Sequence, residues 1–390
     1  MDKQLVSSRL GEVKEYYFSR KLREVAALRA QGVDVLNLGI GSPDISPPKE
    51  VETALLAGLS EPGYHQYQAY KGIPELRQAF AKWYQTHFGV SLEADSEVLP
   101  LIGSKEGIMH IAMAFLDEGD QVLVPNPGYP SYSSACKMAG AELIYYPLRE
   151  ENNYYPDFEW LAQKDLSKIK IMWINFPHMP TGTDSSEVLF EQLKNFSRKH
   201  QIIIVNDNPY AFILTDQQRS LLKSRKQSDL LLELSSLSKA HNMAGWRVGA
   251  LSGNAKLIQA VLTFKSNMDS GQFKPVMKAA IAALNSPKSW YESLNKEYRK
   301  RRILVFDIAQ RLGCNCRKDQ VGMFVWCTIP DSWKNSEEFA DHLLETYQIF
   351  VPPGTVFGSE GTKYIRFSLC SDVSVWREVL ERIQKIDIKV

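Results

Sequence analysis

At 390 residues, 44% of them hydrophobic, the chain is too long for one minimal core and long enough to bury two or three domain-sized ones. Its 46 basic and 45 acidic residues give a formal net charge of +1, which leaves no positive excess to hold a nucleic acid or an anionic membrane. Five cysteines without a CxxC pair and seven histidines without an HExxH motif, or a carboxylate grouping on one helix face, indicate neither a disulfide framework nor a metal site; reduced thiols and no metal are expected.

The first stretch, MDKQLVSSRLGEVKEYYFSRK, is polar where a secretion leader would be apolar. No run approaches the roughly 18 apolar residues of a membrane span, so a soluble cytoplasmic protein is expected. From about residue 95 to residue 255, short apolar runs alternate with helical patterns. The runs are VLPLIG (98–103), QVLVPN (121–126), AELIYYPL (141–148), IKIMWIN (169–175), IIIVND (202–207), LLLELSS (230–236) and VGALSG (248–253). Helical stretches such as 105–116 and 188–199 lie between some of them. This alternation predicts a three-layer α/β fold, a mostly parallel central sheet with helices on both faces. The character then changes. A long polar helix over 288–312 carries the basic cluster Arg299-Lys300-Arg301-Arg302, which reads as a solvated face, and FVWCTI, YQIFVPPG, YIRFSL and a last amphipathic helix follow. These predict a smaller α+β domain, with residues 48–285 forming the large domain and residues 1–47 and 286–390 the small one.

Ligands of such sheets bind beyond the carboxyl ends of the strands, and the unusual residues cluster there. GSKEG follows the first run and leads into a helix, so the backbone N–H groups around Ser104, Lys105 and Glu106 form an anion site, although small residues also begin helices simply as caps. Tyr129, in PNPGYP, is either a core aromatic or a platform for stacking on a flat ligand. Asp207 and Tyr210 stand three residues apart after IIIVN; a capping carboxylate and a core phenol would look the same. SLSKAHNMAGWRVG places Ser236, Ser238, Lys239 and Arg247 just beyond a buried strand. Desolvation there favours a neutral lysine amine able to attack an aldehyde, and a guanidinium can grip a phosphate through two hydrogen bonds. An arbitrary Lys/Arg pair would more often be two surface cations.

In order from about residue 36 to residue 369, these motifs resemble those of the class I/II aminotransferases of the fold type I pyridoxal phosphate superfamily. The resemblance implies pyridoxal 5'-phosphate as cofactor, Lys239 as the Schiff-base lysine and proton shuttle, and Asp207 as partner of the pyridinium nitrogen. It also implies Tyr210 as donor to the phenolic oxygen, Tyr129 as stacking residue, and Ser104, Lys105, Ser236 and Arg247 in the phosphate cup. In NLGIGSPD, Gly41 matches the glycine lying against the substrate carboxylate, and Arg366, in YIRFSL, the arginine that grips it. YQAYKGIPELR resembles the segment whose tyrosine reaches the neighbouring subunit's phosphate, which implies a homodimer; the family's spacing selects Tyr67 over Tyr70. The implied reaction is ping-pong transfer of an amino group from an L-amino acid to a 2-oxo acid.

The chain departs from the family in one place. Where the family has Asn-Pro-Thr-Gly, this sequence has Met179-Pro180-Thr181-Gly182, and methionine cannot donate the hydrogen bond that the asparagine gives to the phenolic oxygen. His178 or an ordered water is the alternative donor. Carbon–sulfur β-lyases share the superfamily, as do transcription factors with an aminotransferase-like domain, but only some 35 residues precede the resemblance, too few for a DNA-binding module. NMDSGQF (267–273) resembles loops of the alanine, aspartate and LL-diaminopimelate aminotransferase branches, which leaves the amino donor open.

Overall fold

A computed structural model describes residues 7–11, 15 and 17–387 of the chain. Part of the polar N-terminal stretch read for a leader therefore lies outside the described residues. Helix α1 (Tyr17–Ala30) leads to a short strand β1 (Leu36–Asn37), then α2 (Lys49–Gly58) and α3 (Pro74–Phe88). α3 starts on Pro74, whose missing N–H costs nothing in a first turn, and stops at Gly89, which takes the left-handed conformation at φ 66°.

The central part alternates strand and helix: β2 (Val98–Leu101), α4 (Ser104–Phe115), β3 (Gln121–Asn126), α5 (Pro130–Met138), β4 (Glu142–Pro147), α6 (Phe158–Ala162), β5 (Ile169–Ile174), α7 (Glu187–His200) and β6 (Ile203–Asp207). β7 (Leu231–Ser236), β8 (Gly249–Gly253), α8 (Ala255–Lys265) and α9 (Lys274–Leu284) complete it. All seven predicted runs are strands of one sheet, ordered β2-β8-β7-β6-β5-β3-β4, with ends within two residues of those expected. Its neighbours are parallel except β8, which runs antiparallel to both β7 and β2.

The strands alternate between two separate cores, as the pleat requires. Val122, Val124, Ile171, Trp173 and Val205 pack with α4, α5 and α8 on one face, while Leu123, Met172, Ile174 and Ile204 pack with α3, α7 and α9 on the other. Each such side chain taken out of water contributes about 1.5–3 kcal/mol, so a charge at Ile171, which is fully buried, would break the layer outright.

The last third contains α10 (Lys288–Arg311), β9 (Phe324–Thr328), α11 (Ser336–Tyr347), β10 (Ile349–Phe350), β11 (Tyr364–Ser368) and α12 (Val373–Asp387). β9 and β11 pair antiparallel with Arg366 opposite Trp326, and β10 pairs parallel with β1, tying the start of the chain to this region. No helix among the described residues is long and apolar enough to cross a membrane.

Three expectations need correction. The basic cluster of α10 is not all solvated: Arg301 is 2% exposed, grips Asp44 at 2.6 and 3.0 Å, and donates to the Leu369 carbonyl. A helical period of 3.6 turns one residue of any four-residue run inward, and here the inward one anchors the segment after Gly41. Nor are all five thiols reduced. Cys316 and Cys327 form a disulfide, because the bridge between Asn315 and Thr328 brings the ends of the loop together, while Cys136, Cys314 and Cys370 are free and buried. Finally, α4 does place a carboxylate and a histidine one turn apart, and Glu106 and His110 meet Asp269. The ammonium of Lys265 lies 2.5 Å from Asp269, so this grouping already has its cation.

Candidate active site

The turn between β2 and α4 is shaped by Gly103. Its φ of +81° suits only glycine comfortably, and a Cβ there would come within 2.2 Å of Nη2 of Arg247. No side chain caps α4, which leaves its first N–H groups and the positive end of its dipole to an anion. Glu106, expected to offer that anion its backbone N–H, turns its side chain away: the carboxylate accepts from the Ile102 N–H and meets Nε2 of His110, which locks the turn from behind. Arg247 sits in the left-handed conformation at φ 56°; its Nη1 donates to Ala244 O, and its own carbonyl accepts from Gln272 Nε2 at 2.8 Å.

Asp207 ends β6 and is 5% exposed. Tyr132 donates its O–H to Oδ2 at 2.9 Å, Asn175 donates Nδ2 to the backbone carbonyl, and Oδ1 is buried with no hydrogen-bond partner. Burial lifts this carboxyl to about 6, against the hydrogen bond from Tyr132 and the charge of Lys239, which lower it. A buried carboxylate oxygen without a partner, on a residue that lines the cavity, fits a group that brings its own N–H cation, such as a pyridinium ring. Tyr132 stacks on Trp173 with centroids 5.0 Å apart and meets Tyr129 edge-on at 5.5 Å, so the ring beside the cavity is held from below. Burial pushes the phenol of Tyr210 well up, keeping it a proton donor.

Lys239 lies in the turn after β7, and its Nζ donates to the Gly41 carbonyl. Burial lowers its affinity for a proton, and the charges of Arg366 and Arg247 act in the same direction. Gly41 has no room for a side chain, because a Cβ would stand 2.4 Å from Cζ of Phe324. Arg366, on β11, donates Nη2 to Gly39 O at 2.7 Å and Nη1 to the Met179 sulfur at 3.3 Å. Its guanidinium lies over the rings of Phe324 at 3.9 Å, Phe357 at 4.6 Å and Phe18 at 5.4 Å. Met179 stands in the site; His178 does not. Its Nδ1 is engaged by Thr181 at 2.8 Å, and burial pushes the ring down to about 3.

One cavity of about 530 Å³ brings together Gly41, Ser104, Lys105, Tyr129, Asp207, Tyr210, Ser236, Lys239, Arg247 and Arg366. Glu106 does not line it, and Tyr67 is 92% exposed on the surface, with Tyr70 at 48%. The expectations missed Tyr132, one turn from Tyr129 in PNPGYPSYS, and the apolar group Phe18, Leu22, Phe324 and Phe357. Nothing local marks an apolar residue as lining a cavity rather than filling a core.

Residues 33–383 match the family described as aminotransferase class I and II. The chain is 41% identical to an LL-diaminopimelate aminotransferase of Dehalococcoides mccartyi over 93% of its own length and 94% of the relative's. It is 37% identical to another of that name from Nitratidesulfovibrio vulgaris, covering 98% and 99%. Among solved structures it is similar to substrate-bound BacF from Bacillus subtilis, at TM-score 0.93 and 34% identity over 99% and 98% of the two chains. It is also similar to a Thermus thermophilus aspartate aminotransferase mutant, at TM-score 0.91 and 26% identity over 98% and 100%.

Proposed function

The chain belongs to the class I and II aminotransferase family of fold type I and moves amino groups between amino acids and 2-oxo acids with pyridoxal 5'-phosphate as cofactor, and from that premise we propose the roles of its residues. Bound, the cofactor supplies an aldehyde that condenses with amines and a protonated ring that draws electrons from the substrate's Cα. Lys239 would hold the aldehyde carbon and, with its amine free, would take and return the proton at the substrate's Cα; its lowered proton affinity suits both tasks. Asp207 keeps the ring nitrogen protonated, with Tyr132 fixing the carboxylate's orientation. Tyr129 stacks on the ring, and Tyr210 donates to its phenolic oxygen. Arg247, Ser104, Lys105 and Ser236 hold the phosphate at the start of α4. Arg366 binds the substrate carboxylate beside Gly41.

The observation that carries this assignment is the buried, unpartnered Oδ1 of Asp207 in the same cavity as Lys239 and Arg366. Residues 48–285 form the cofactor-binding domain, and residues 1–47 and 286–390 the small domain that brings Arg366 to it. The protein works as a cytoplasmic homodimer in which Tyr67 reaches the neighbouring subunit's phosphate; its outward position is what such a reach requires.

Borohydride reduction of the yellow holoprotein, followed by peptide mapping, tests the central role. The cofactor is expected on Lys239, and Lys239→Ala is expected to lose both the fixed cofactor and at least about a thousandfold in transamination, the scale of removing a positioned base or nucleophile. Cofactor fixed to another lysine overturns the assignment.

A further inference from the structure

The substrate's carboxylate end and its side chain meet different surfaces. Beside Arg366, five of the described lining residues offer only carbon and sulfur. Phe18 and Leu22 stand four residues apart on α1, one turn along a single helix face, and both line the cavity. Phe324 on β9, Phe357 and Met179 close the other sides. Among the described residues that line it, Asp207 is the only carboxylate, and it belongs to the cofactor's ring nitrogen. The cations Lys105, Lys239 and Arg247 stand with the cofactor's phosphate and aldehyde, which leaves Arg366 for one carboxylate. The exposed segment around Tyr67, which a second copy would bring, reads Tyr64-His65-Gln66-Tyr67-Gln68, in which His65 is the one side chain able to carry a positive charge.

We propose that this site takes amino acids with an apolar aromatic side chain and one carboxylate, and discriminates against side chains ending in a charge. This rests on the aminotransferase assignment and adds the substrate class. A distal carboxylate or ammonium would be stripped of water against phenyl rings with no counter-charge from the described residues of that wall, whereas an aromatic ring finds three phenyl groups to pack on, edge or face. The contrast is instructive because the named relatives at 37% and 41% identity act on a substrate with a second amino and carboxylate group. Their likeness follows the whole chain, while side-chain selection rests on a few wall residues. Met179 contributes here as well: its sulfur, beside Nη1 of Arg366, offers the substrate no hydrogen-bond donor and a polarisable apolar surface.

The test uses the cofactor-loaded protein in two ways. Binding of unreactive acids is measured by calorimetry, with 3-phenylpropionate against glutarate and pimelate. Single-turnover conversion, followed by the cofactor's visible band, compares L-phenylalanine with L-glutamate, L-aspartate and LL-diaminopimelate. The expected result is 3-phenylpropionate bound at least about tenfold more tightly than either diacid, phenylalanine converted with the highest second-order rate constant, and both preferences reduced about tenfold in Leu22→Lys. Tighter binding of a diacid, faster conversion of a charged donor, or preferences unchanged in Leu22→Lys overturns the inference while leaving transamination standing. If no donor of any kind is converted, the aminotransferase assignment fails first, and the binding measurement still decides whether the wall selects aromatic acids.

Discussion

Asp207 is a group whose function works against the stability of the cofactor-free protein. Burial raises its carboxyl from 3.8 to about 6, so the folded chain holds a proton that the unfolded chain has released. The protonated form causes no penalty below about pH 3.8; as pH rises to 6, the folded state loses up to about 3 kcal/mol. Asp207→Asn should therefore stabilise the cofactor-free protein more at pH 8 than at pH 4, and lose that advantage once the cofactor is bound. Urea titrations at the two pH values measure it, and equal differences would count against the buried charge. Met179 offers a second residue-level test. Asn175 donates to the Asp207 carbonyl and accepts from the Met179 N–H, and His178 is held by Thr181. Without an amide donor at 179, the phenolic oxygen competes less well as an anion, and the Lys239 nitrogen bonded to the cofactor keeps its proton to higher pH. In a spectral titration, Met179→Asn is expected to move the transition of the visible band to lower pH; an equal or higher midpoint would refute this.

At the scale of the element, the β2–α4 turn links backbone geometry to ligand binding. Gly103 must hold φ at +81° for the chain to turn from strand into helix, and the space its missing Cβ leaves is filled by the Arg247 guanidinium. Gly103→Ala should cost about 1–2 kcal/mol in folding stability from the left-handed strain alone. It should also displace the Arg247 guanidinium from its hydrogen bond to the Ala244 carbonyl and weaken cofactor binding at least about tenfold through the lost phosphate contact. Fluorescence titration with pyridoxal 5'-phosphate separates the two effects: lost stability with unchanged affinity would show that Arg247 is not a phosphate ligand. The Arg301–Asp44 pair plays a related part, since it fixes the segment whose Gly41 carbonyl receives Lys239. A buried pair of that kind holds geometry more than it adds net stability.

For the whole molecule, the surface near Tyr67 matters most. Tyr67, Tyr70, Met268 and Phe273 are large apolar side chains left exposed on neighbouring parts of the chain, and Gly271 packs against the Ala69 carbonyl, which holds the two segments together. The proposed homodimer would cover this surface with a second copy. Light scattering is expected to give twice the chain mass, and Tyr67→Phe is expected to weaken cofactor binding several-fold while leaving the dimer intact. A monomer at micromolar concentration, or unchanged cofactor affinity in Tyr67→Phe, would remove Tyr67 from the site.

The seven sheet strands were legible because a parallel sheet covered on both faces needs continuous apolar runs, and the motifs after them were legible because ligand chemistry restricts residue types at the strand ends. Gly103, Asp207, Lys239 and Arg247 each occupy a position where few residues could serve. Tertiary structure alone decided what surrounds them. Tyr132 under Asp207, Arg301 inside the fold, the Cys316–Cys327 bond and the wall of Phe18, Leu22, Phe324 and Phe357 all depend on contacts between segments far apart in the chain. Periodicity says that an apolar residue is buried, but not against what. An apolar side chain facing a cavity and one filling a core obey the same local rule, so the substrate wall emerges only when α1, β9 and the segment between β10 and β11 that carries Phe357 are folded together.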